Sequence, residues 1–207
     1  MNSEISFLEN NKVYLQGEVK SEPKLNHTVK GEEFYSFDLE VERLSGQTDI
    51  IPIIANKKLC VMFDVRRGAN ISVQGQFRSH NQIVDGKRKL VLMVFAKEIG
   101  EFDNEKNSNT IELEGYICKP AIYRTTPFAR EICDVLVAVN RNYNKSDYIP
   151  CIAWGTNAQI VSNMQVATKL KIEGRVQSRI YNKSIGDDVV TKTAYEVSIS
   201  KLLNENS

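Results

Sequence analysis

The sequence is short of the residues from which most catalytic and metal-binding sites are built. It has two histidines, His27 and His80, and neither lies near a set of metal ligands or a nucleophile. Its four cysteines include no Cys-x-x-Cys pair, so we interpret them as small buried thiols. We therefore expect no enzymatic activity, no cofactor and no bound metal.

The sequence also lacks a charge excess and a long apolar run. It carries 27 basic and 26 acidic side chains, so no global charge attracts a polyanion and any such contact depends on local placement. The longest apolar runs, such as residues 90–96, fall far short of the roughly 20 residues that span a bilayer. The first ten residues include Glu4 and Glu9 and no basic stretch, unlike a signal peptide. We expect a cytoplasmic protein without membrane contact.

An internal repeat organises the 207 residues. The composition, 42% apolar and 26% charged, is that of an ordinary globular protein with one large or two small domains. Shifting the sequence by about 98 positions aligns Gly17 with Gly115, Arg43 with Arg141, Asp49 with Asp147, Pro52 with Pro150 and Ala55 with Ala153. One further position aligns Gly75 with Gly174. The repeat predicts two copies of one domain.

Each copy alternates apolar and polar residues, which is typical of strands. The clearest runs are residues 37–41 and their counterparts 135–139. One segment per copy has a helical pattern, residues 57–65 and 157–165. This order predicts an all-β protein: two tandem OB-fold five-stranded Greek-key barrels, each with one short helix between strands 3 and 4. The predicted domains are residues 1–100 and 109–207, with residues 101–108 as the linker.

Three segments of the second copy carry a family resemblance. They are Val-Ala-Val-Asn-Arg at 137–141, Asp-Tyr-Ile-Pro-Cys-Ile-Ala-Trp-Gly at 147–155 and Ile-Glu-Gly-Arg-Val-Gln-Ser-Arg at 172–179. In order and spacing they closely resemble bacterial single-stranded DNA-binding proteins (SSB). The first copy is similar, though more divergent, at residues 11–17, 22–25 and 73–75.

The resemblance implies OB domains that wrap single strands around an assembly of four such domains. Divergent members carry two OB domains per chain, so it also implies a homodimer. Typical members end in an acidic, hydrophobic tip that recruits replication and repair enzymes. Residues 202–207 do not match that tip, so we do not expect tail-mediated recruitment.

The two copies differ in the outward residues of their strands. On the second strand the first copy has three carboxylates, Asp38, Glu40 and Glu42, where the second copy has residues 136, 138 and 140 without acids. On the third strand Tyr148 and Trp154 replace the non-aromatic residues 50 and 56. Aromatic rings stack on bases, whereas carboxylates repel phosphates. We therefore predict that the second copy binds single-stranded nucleic acid better than the first.

The candidate nucleic-acid-binding residues all lie in this second copy. Those predicted to stack on bases are Trp154, Tyr148, Tyr143 and Tyr181. Those predicted to contact phosphates are Arg141, Arg175, Arg179, Lys183, Lys119 and Arg124. The alternative is that Trp154 caps the barrel core and that the tyrosines and cations are ordinary surface residues.

The predicted function is binding of single-stranded DNA without strong sequence preference, mainly by the second domain, in DNA replication, recombination or repair. RNA stays an alternative ligand, because stacking accepts either sugar. The alternative from another class is an OB-fold adaptor, like some primosomal proteins, that binds protein and only weakly nucleic acid. The acidic first-copy face favours that alternative.

Overall fold

The two halves of the chain repeat one order of elements. The computed structural model describes residues 9–84, 86–185 and 188–203, without the side chains at 84, 87, 183–185 and 188. The first half, residues 9–101, contains β1 (Asn11–Val19), β2 (Lys24–Val29), β3 (Glu32–Glu42), β4 (Thr48–Asn56), α1 (Lys57–Met62), β5 (Asn70–Val84) and β6 (Lys87–Glu101). The second half, residues 109–203, contains β7 (Asn109–Ile117), β8 (Ile122–Thr125), β9 (Glu131–Arg141), β10 (Lys145–Trp154), α2 (Thr156–Ser162), β11 (Lys169–Ile185) and β12 (Asp188–Leu202).

Each half closes into a five-stranded barrel. In the first half β1 pairs with both β3 and β5, β5 pairs with β6, and β4 pairs with β3 and, in parallel, with β6. The second half closes in the same way through β7, β11, β12, β10 and β9. Closure leaves few strand edges exposed. With 67% strand and 7% helix, the predicted all-β OB-fold is confirmed.

Two short strands were absent from the prediction. β2 and β8 pair antiparallel with β3 and β9, respectively, outside the barrels. Every residue of these strands is exposed, so no buried alternation marks them in the sequence. The single helix of each half follows the barrel's third strand, as predicted, but ends three residues early, at Met62 and Ser162. Neither helix has the length and apolar character needed to span a membrane.

The alternation in sequence corresponds to the core. Phe37, Leu39 and Val41 are at most 3% exposed, and their counterparts on β9 are at most 4% exposed. Where strands bend, glycines allow close approach: a Cβ at Gly75 would overlap the backbone carbonyl of Phe95. A Cβ at the equivalent position of the second half, 174, would overlap the carbonyl of residue 198.

An antiparallel pairing of β1 with β7 joins the two barrels into one 12-stranded sheet. The pairing centres on Val13 opposite Ile111, which are equivalent positions of the repeat. The halves are therefore related by an approximate two-fold axis at this pair.

Two buried aspartates also connect the halves. Asp49 Oδ1 of β4 accepts hydrogen bonds from the Ser178 backbone N–H at 2.7 Å and hydroxyl at 2.8 Å. In the reverse direction Asp147 Oδ1 of β10 accepts from the Ser79 N–H at 2.7 Å. In each half a buried aspartate thus accepts a backbone hydrogen bond from the long strand, β5 or β11, of the other half.

The segment between the halves is held against the first barrel. The Gln16 side chain, only 2% exposed on β1, donates to the backbone carbonyls of Asp103 and Lys106 at 2.8 and 2.9 Å. The Ser108 hydroxyl donates to the Glu42 carbonyl at 2.6 Å. Residues 102–108 therefore follow a fixed course from β6 to β7.

Candidate nucleic-acid interface

β10 presents two aromatic side chains on the outer face of the second barrel. Ile149, Cys151 and Ala153 point into the core, at most 3% exposed. Of the residues of opposite parity, Ile152 is covered, whereas Tyr148 is 43% and Trp154 37% exposed. Trp154 therefore lies on the sheet surface and does not cap the core.

A hydrogen bond fixes the Trp154 ring on this face. The indole Nε1–H donates to the Ser198 hydroxyl of β12, the neighbouring strand, at 3.1 Å. The ring is thereby held across two strands while more than a third of its residue surface stays accessible. A ring in a fixed, exposed position is the geometry that base stacking requires.

Trp154 lies in a groove of about 960 Å³ between the two halves, the wide groove. The tip of the β3–β4 hairpin of the first half, with Arg43 and Leu44, forms one wall, and the outer faces of β10, β11 and β12 form the floor. The charged residues that line it are Arg43, Arg130, Arg175, Arg179, Glu42, Glu112, Glu173 and Glu196. Four arginines thus share the groove with four glutamates.

Arg175 and Arg179 project into the wide groove with different partners. Arg175 donates to the Gln177 side chain at 3.2 Å, a neutral contact. Arg179 Nε lies 3.7 Å from Glu196, and its guanidinium carbon lies 5.7 Å from the centre of the Tyr181 ring. Arg175 therefore has more charge available for a phosphate.

Glu196 is a groove residue that was not among those predicted from the sequence. This residue is 6% exposed, and its Oε1 accepts a hydrogen bond from Gln177 Nε2 at 2.9 Å. Its outward position was predictable from the sequence, because Glu196 has the parity opposite to that of the core residues Val197 and Ile199. It places a carboxylate beneath the predicted phosphate contacts.

Arg124 and Lys119 lie outside the residues that line this groove. Arg124, on the edge strand β8, pairs with Asp134 of β9 at 2.8 Å, and both side chains are partly exposed. Lys119 is exposed in the turn after β7. Arg124 and Trp154 both lie opposite Ile132 of β9, from its two sides, so Arg124 is two strands from Trp154 on the same face of the sheet.

Tyr143 lies at a second groove. It is 88% exposed at the tip of the β9–β10 hairpin, with φ of +63°. With Arg141 and Lys145 it covers the outer face of the first half, over Arg78 and Phe95, around a cavity of about 190 Å³, the narrow groove. The two grooves are related by the approximate two-fold axis, since each half places its hairpin tip over the sheet of the other.

Arg141 makes an ion pair within the narrow groove. Its Nη1 lies 3.3 Å from Oδ1 of Asp147, which is 1% exposed. Oδ2 of Asp147 has no hydrogen-bond partner in the described part of the chain. Burial raises the pKa of Asp147, and the hydrogen bond from Ser79 and the charges of Arg141 and Arg78 offset this only in part.

The equivalent carboxylate of the first half is fully paired. Arg43 donates to both oxygens of Asp49 at 2.6 Å. Burial alone raises the pKa of Asp49, but the bonds from Arg43 and Ser178 outweigh it and hold that pKa below its ordinary value.

Tyr181 and Lys183 lie on the long arm of β11. Tyr181 is 36% exposed and lies beside Arg179. The side chain of Lys183 is outside the described residues. No group of three or more histidine, cysteine or acidic side chains able to hold a metal is found in the described ranges.

These features define a tandem OB-fold protein whose outer faces combine exposed aromatic rings with arginines. The model of the single-strand binding protein family matches residues 108–203. The single-stranded DNA-binding protein 1 of Streptococcus pyogenes serotype M18 is 32% identical over 96 residues, 42% of this chain and 74% of the relative. The chain belongs to the single-strand binding protein family, which confirms the resemblance inferred from the sequence.

Two further similarities cover different parts of the chain. The single-stranded DNA-binding protein 3 of Streptococcus agalactiae serotype V is 28% identical over 106 residues, 48% of this chain and 77% of the relative. The wild-type single-stranded DNA binding protein from Thermus aquaticus has a TM-score of 0.72 at 20% identity, over 93% of this chain and 91% of that one. The latter match shows that both halves share its fold.

Proposed function

We propose that this protein binds single-stranded DNA on the outer face of its second half, residues 109–203, with little dependence on base sequence. The observation that carries the proposal is the pair of outward rings on β10: Trp154 lies beside the arginines of the wide groove, and Tyr148 is exposed six residues earlier on the same strand. Family membership supports the same ligand. In this family the expected setting is cytoplasmic DNA replication, recombination or repair.

Binding in this proposal has two components. Bases stack on the rings, each stack contributing roughly 1–3 kcal/mol, and every base has a π-face, so sequence matters little. Phosphates bind Arg175 and Arg130, and counterion release makes the affinity fall with salt. Arg179 has to exchange Glu196 for a phosphate, so its net contribution is smaller. These contacts are binding chemistry and need no catalytic group.

Binding of labelled oligo(dT) at low and moderate salt, followed by anisotropy, tests the proposal. Tyr148→Ala should weaken binding by about 5-fold or more, since one base stack is lost. Ile160→Ala on α2, also exposed and apolar, is the matched control and should bind normally. Competition with a matched RNA determines the preferred sugar.

The adaptor function makes the opposite prediction of little or no oligonucleotide binding at low salt. Its supporting feature, the acidic face of β3, is partly neutralised, because Glu40 pairs with Lys20 at 3.1 Å. DNA binding is therefore favoured.

We also propose that two chains associate to give four OB domains. The resemblance to tandem members of the family supports this stoichiometry. Sedimentation should show a species of twice the 23.5 kDa chain. A single 23.5 kDa species at working concentrations would exclude the dimer.

A further inference from the structure

The first half carries an aromatic strip that the sequence analysis did not identify. The rings of His27 on β2 and Phe34 on β3 stack with centroids 5.0 Å apart and planes 7° apart. Phe34 in turn lies 5.6 Å from Phe95 of β6. The Arg78 guanidinium of β5 covers Phe95 at 4.5 Å. Four strands thus contribute to one continuous row, the aromatic strip.

The strip occupies the same region of its barrel as Trp154 does in the second half. Phe95 lies opposite Ile54 of β4, and Ser198, which holds the Trp154 indole, lies opposite the equivalent Ile152. Each barrel therefore has an aromatic ring at this place on its outer face. The ring comes from a different strand in each half, so aligning the two copies does not reveal it.

The charges at the Phe95 end of the strip favour an anion, while at the Phe34 end Glu33 and Glu32 are paired with Lys57 and Lys58. The narrow groove beside it contains three cations, Arg78, Arg141 and Lys145, and one carboxylate, Asp147. In the wide groove four glutamates balance the four arginines. The groove on the first half is thus the more positive of the two.

The acidic face of β3 lies away from the strip. Asp38 is four residues beyond Phe34, about 13 Å along an extended strand. Glu40 lies further still, and Lys20 binds it. The carboxylates that argued against DNA binding by this half are therefore distant from its aromatic rings.

We propose that the aromatic strip and the narrow groove form a second contact site for single-stranded DNA, on the first half of the chain. The inference rests on the proposed function and assigns the first barrel a direct role in it. Bases stack on Phe34 and on the Phe95–Arg78 pair, since a guanidinium plane also accepts a base. Phosphates follow Lys145 and Arg141 across the hairpin tip of the second half.

A relocated tryptophan tests this site. The Trp154→Phe variant removes the single native tryptophan, and Phe34→Trp in that background places a fluorophore in the strip. An oligo(dT) of about 32 nucleotides, twice the upper site size of one OB domain, is long enough for both halves. Quenching of this fluorophore is expected. Val61→Trp in the same background, on exposed α1, is the control and should keep its emission.

The outcome is separable from that of the proposed function. Quenching of Trp154 in the wild-type protein without quenching at position 34 would overturn the second site and leave the first intact. Quenching at neither position would overturn both.

A measurement on the unmodified protein covers the case in which Phe34→Trp fails to fold. Photocrosslinking with 5-iododeoxyuridine in the same oligonucleotide should attach DNA to peptides containing Phe34 or Phe95, as well as to the peptide containing Trp154. Crosslinks confined to the second half would contradict the proposal. As a quantitative check, Phe95→Ala should weaken binding of the long oligonucleotide by about 5-fold or more.

Discussion

The two halves have the same barrel but place a buried carboxylate in different surroundings. Asp49 receives two bonds from Arg43 and two from Ser178. Asp147, its equivalent, receives a longer bond from Arg141, and its other oxygen has no hydrogen-bond partner among the described residues. Their pKa values accordingly shift in opposite directions. The repeat thus preserves the position of this aspartate but not its hydrogen bonding or the direction of its pKa shift.

The outer faces differ in a similar way. The second half has Trp154 where the first has Asn56, and the first has Phe95 where the second has Ser198. The resulting wide groove is electrically balanced, whereas the narrow groove is net positive. Neither half is simply a degenerate copy of the other, and each can be tested against its counterpart.

The largest expected effect is on stability at Asp49. Asp49→Asn removes the partner of Arg43, whose side chain is only 19% exposed, and weakens the contact with Ser178. We expect the free energy of unfolding to fall by about 3 kcal/mol. Urea denaturation at pH 7 measures it. A loss below about 0.5 kcal/mol would show that the pair is not a significant connection between the halves.

The next effect is on DNA binding at Trp154. Trp154→Ala should weaken oligo(dT) binding by about 2 kcal/mol, close to 30-fold, through the lost base stack. Trp154→Phe keeps a ring and should lose less. Thermal unfolding of both variants controls for stability. Unchanged affinity in the alanine variant would show that no base stacks on Trp154 and would contradict its role as the main contact of the second half.

Substitution of Asp147, the equivalent of Asp49, should change the free energy of unfolding only slightly and in the opposite direction. Asp147→Asn removes a buried charge, one oxygen of which has no hydrogen-bond partner in the part of the chain that the structure describes. The free energy of unfolding at pH 7 should therefore stay constant or rise by up to about 1 kcal/mol. A loss comparable to that of Asp49→Asn would show that Arg141 and Arg78 fully compensate the charge.

The pH dependence separates the two aspartates further. The pKa of Asp49 is depressed in the folded protein, so its ionised carboxylate stabilises the fold fully above the ordinary pKa of 3.8. This stabilisation is lost as the pH falls through the lower pKa of the folded state. The pKa of Asp147 is raised in the folded protein, so this residue does not destabilise the fold below pH 3.8, where it is protonated in both states. The destabilisation by its buried charge develops as the pH rises through the pKa of the folded state. Urea denaturation from pH 3 to 7 should therefore give a flatter acid limb for Asp49→Asn. The same limb should be steeper for Asp147→Asn.

The smallest effect concerns salt. Arg175→Gln should lower the slope of log affinity against log salt by about 1, as one phosphate contact is lost. Arg179→Gln should lower it less, because Glu196 already partly neutralises that charge. Equal slopes in both variants would mean that the Glu196 pair does not persist in the complex.

The sequence predicted what depends on alternation along one strand. The buried residues 37–41 and 135–139, the outward parity of Tyr148 and Trp154, and one helix per half all follow from such local patterns. It did not predict pairings between distant strands, such as β1 with β7 or Phe34 with Phe95. Phe34 has the parity opposite to Phe37, so its outward position was predictable, but its neighbours on β2 and β6 were not.

Ion pairs across strands limited the prediction of phosphate contacts. Arg141, Arg124 and Arg179 each face a carboxylate on a neighbouring strand or at the other end of a hairpin. A count of cations in the sequence cannot show this, because pairing depends on the strand register.

Tryptophan fluorescence of the unmodified protein is the most direct test of the central claim, that bases stack on the outer face of the second half. Trp154 is the single tryptophan, so its emission reports that face alone. The account predicts quenching on addition of oligo(dT), strong at low salt and weaker at moderate salt. Binding of the oligonucleotide, established by anisotropy, without any change in Trp154 emission would contradict it.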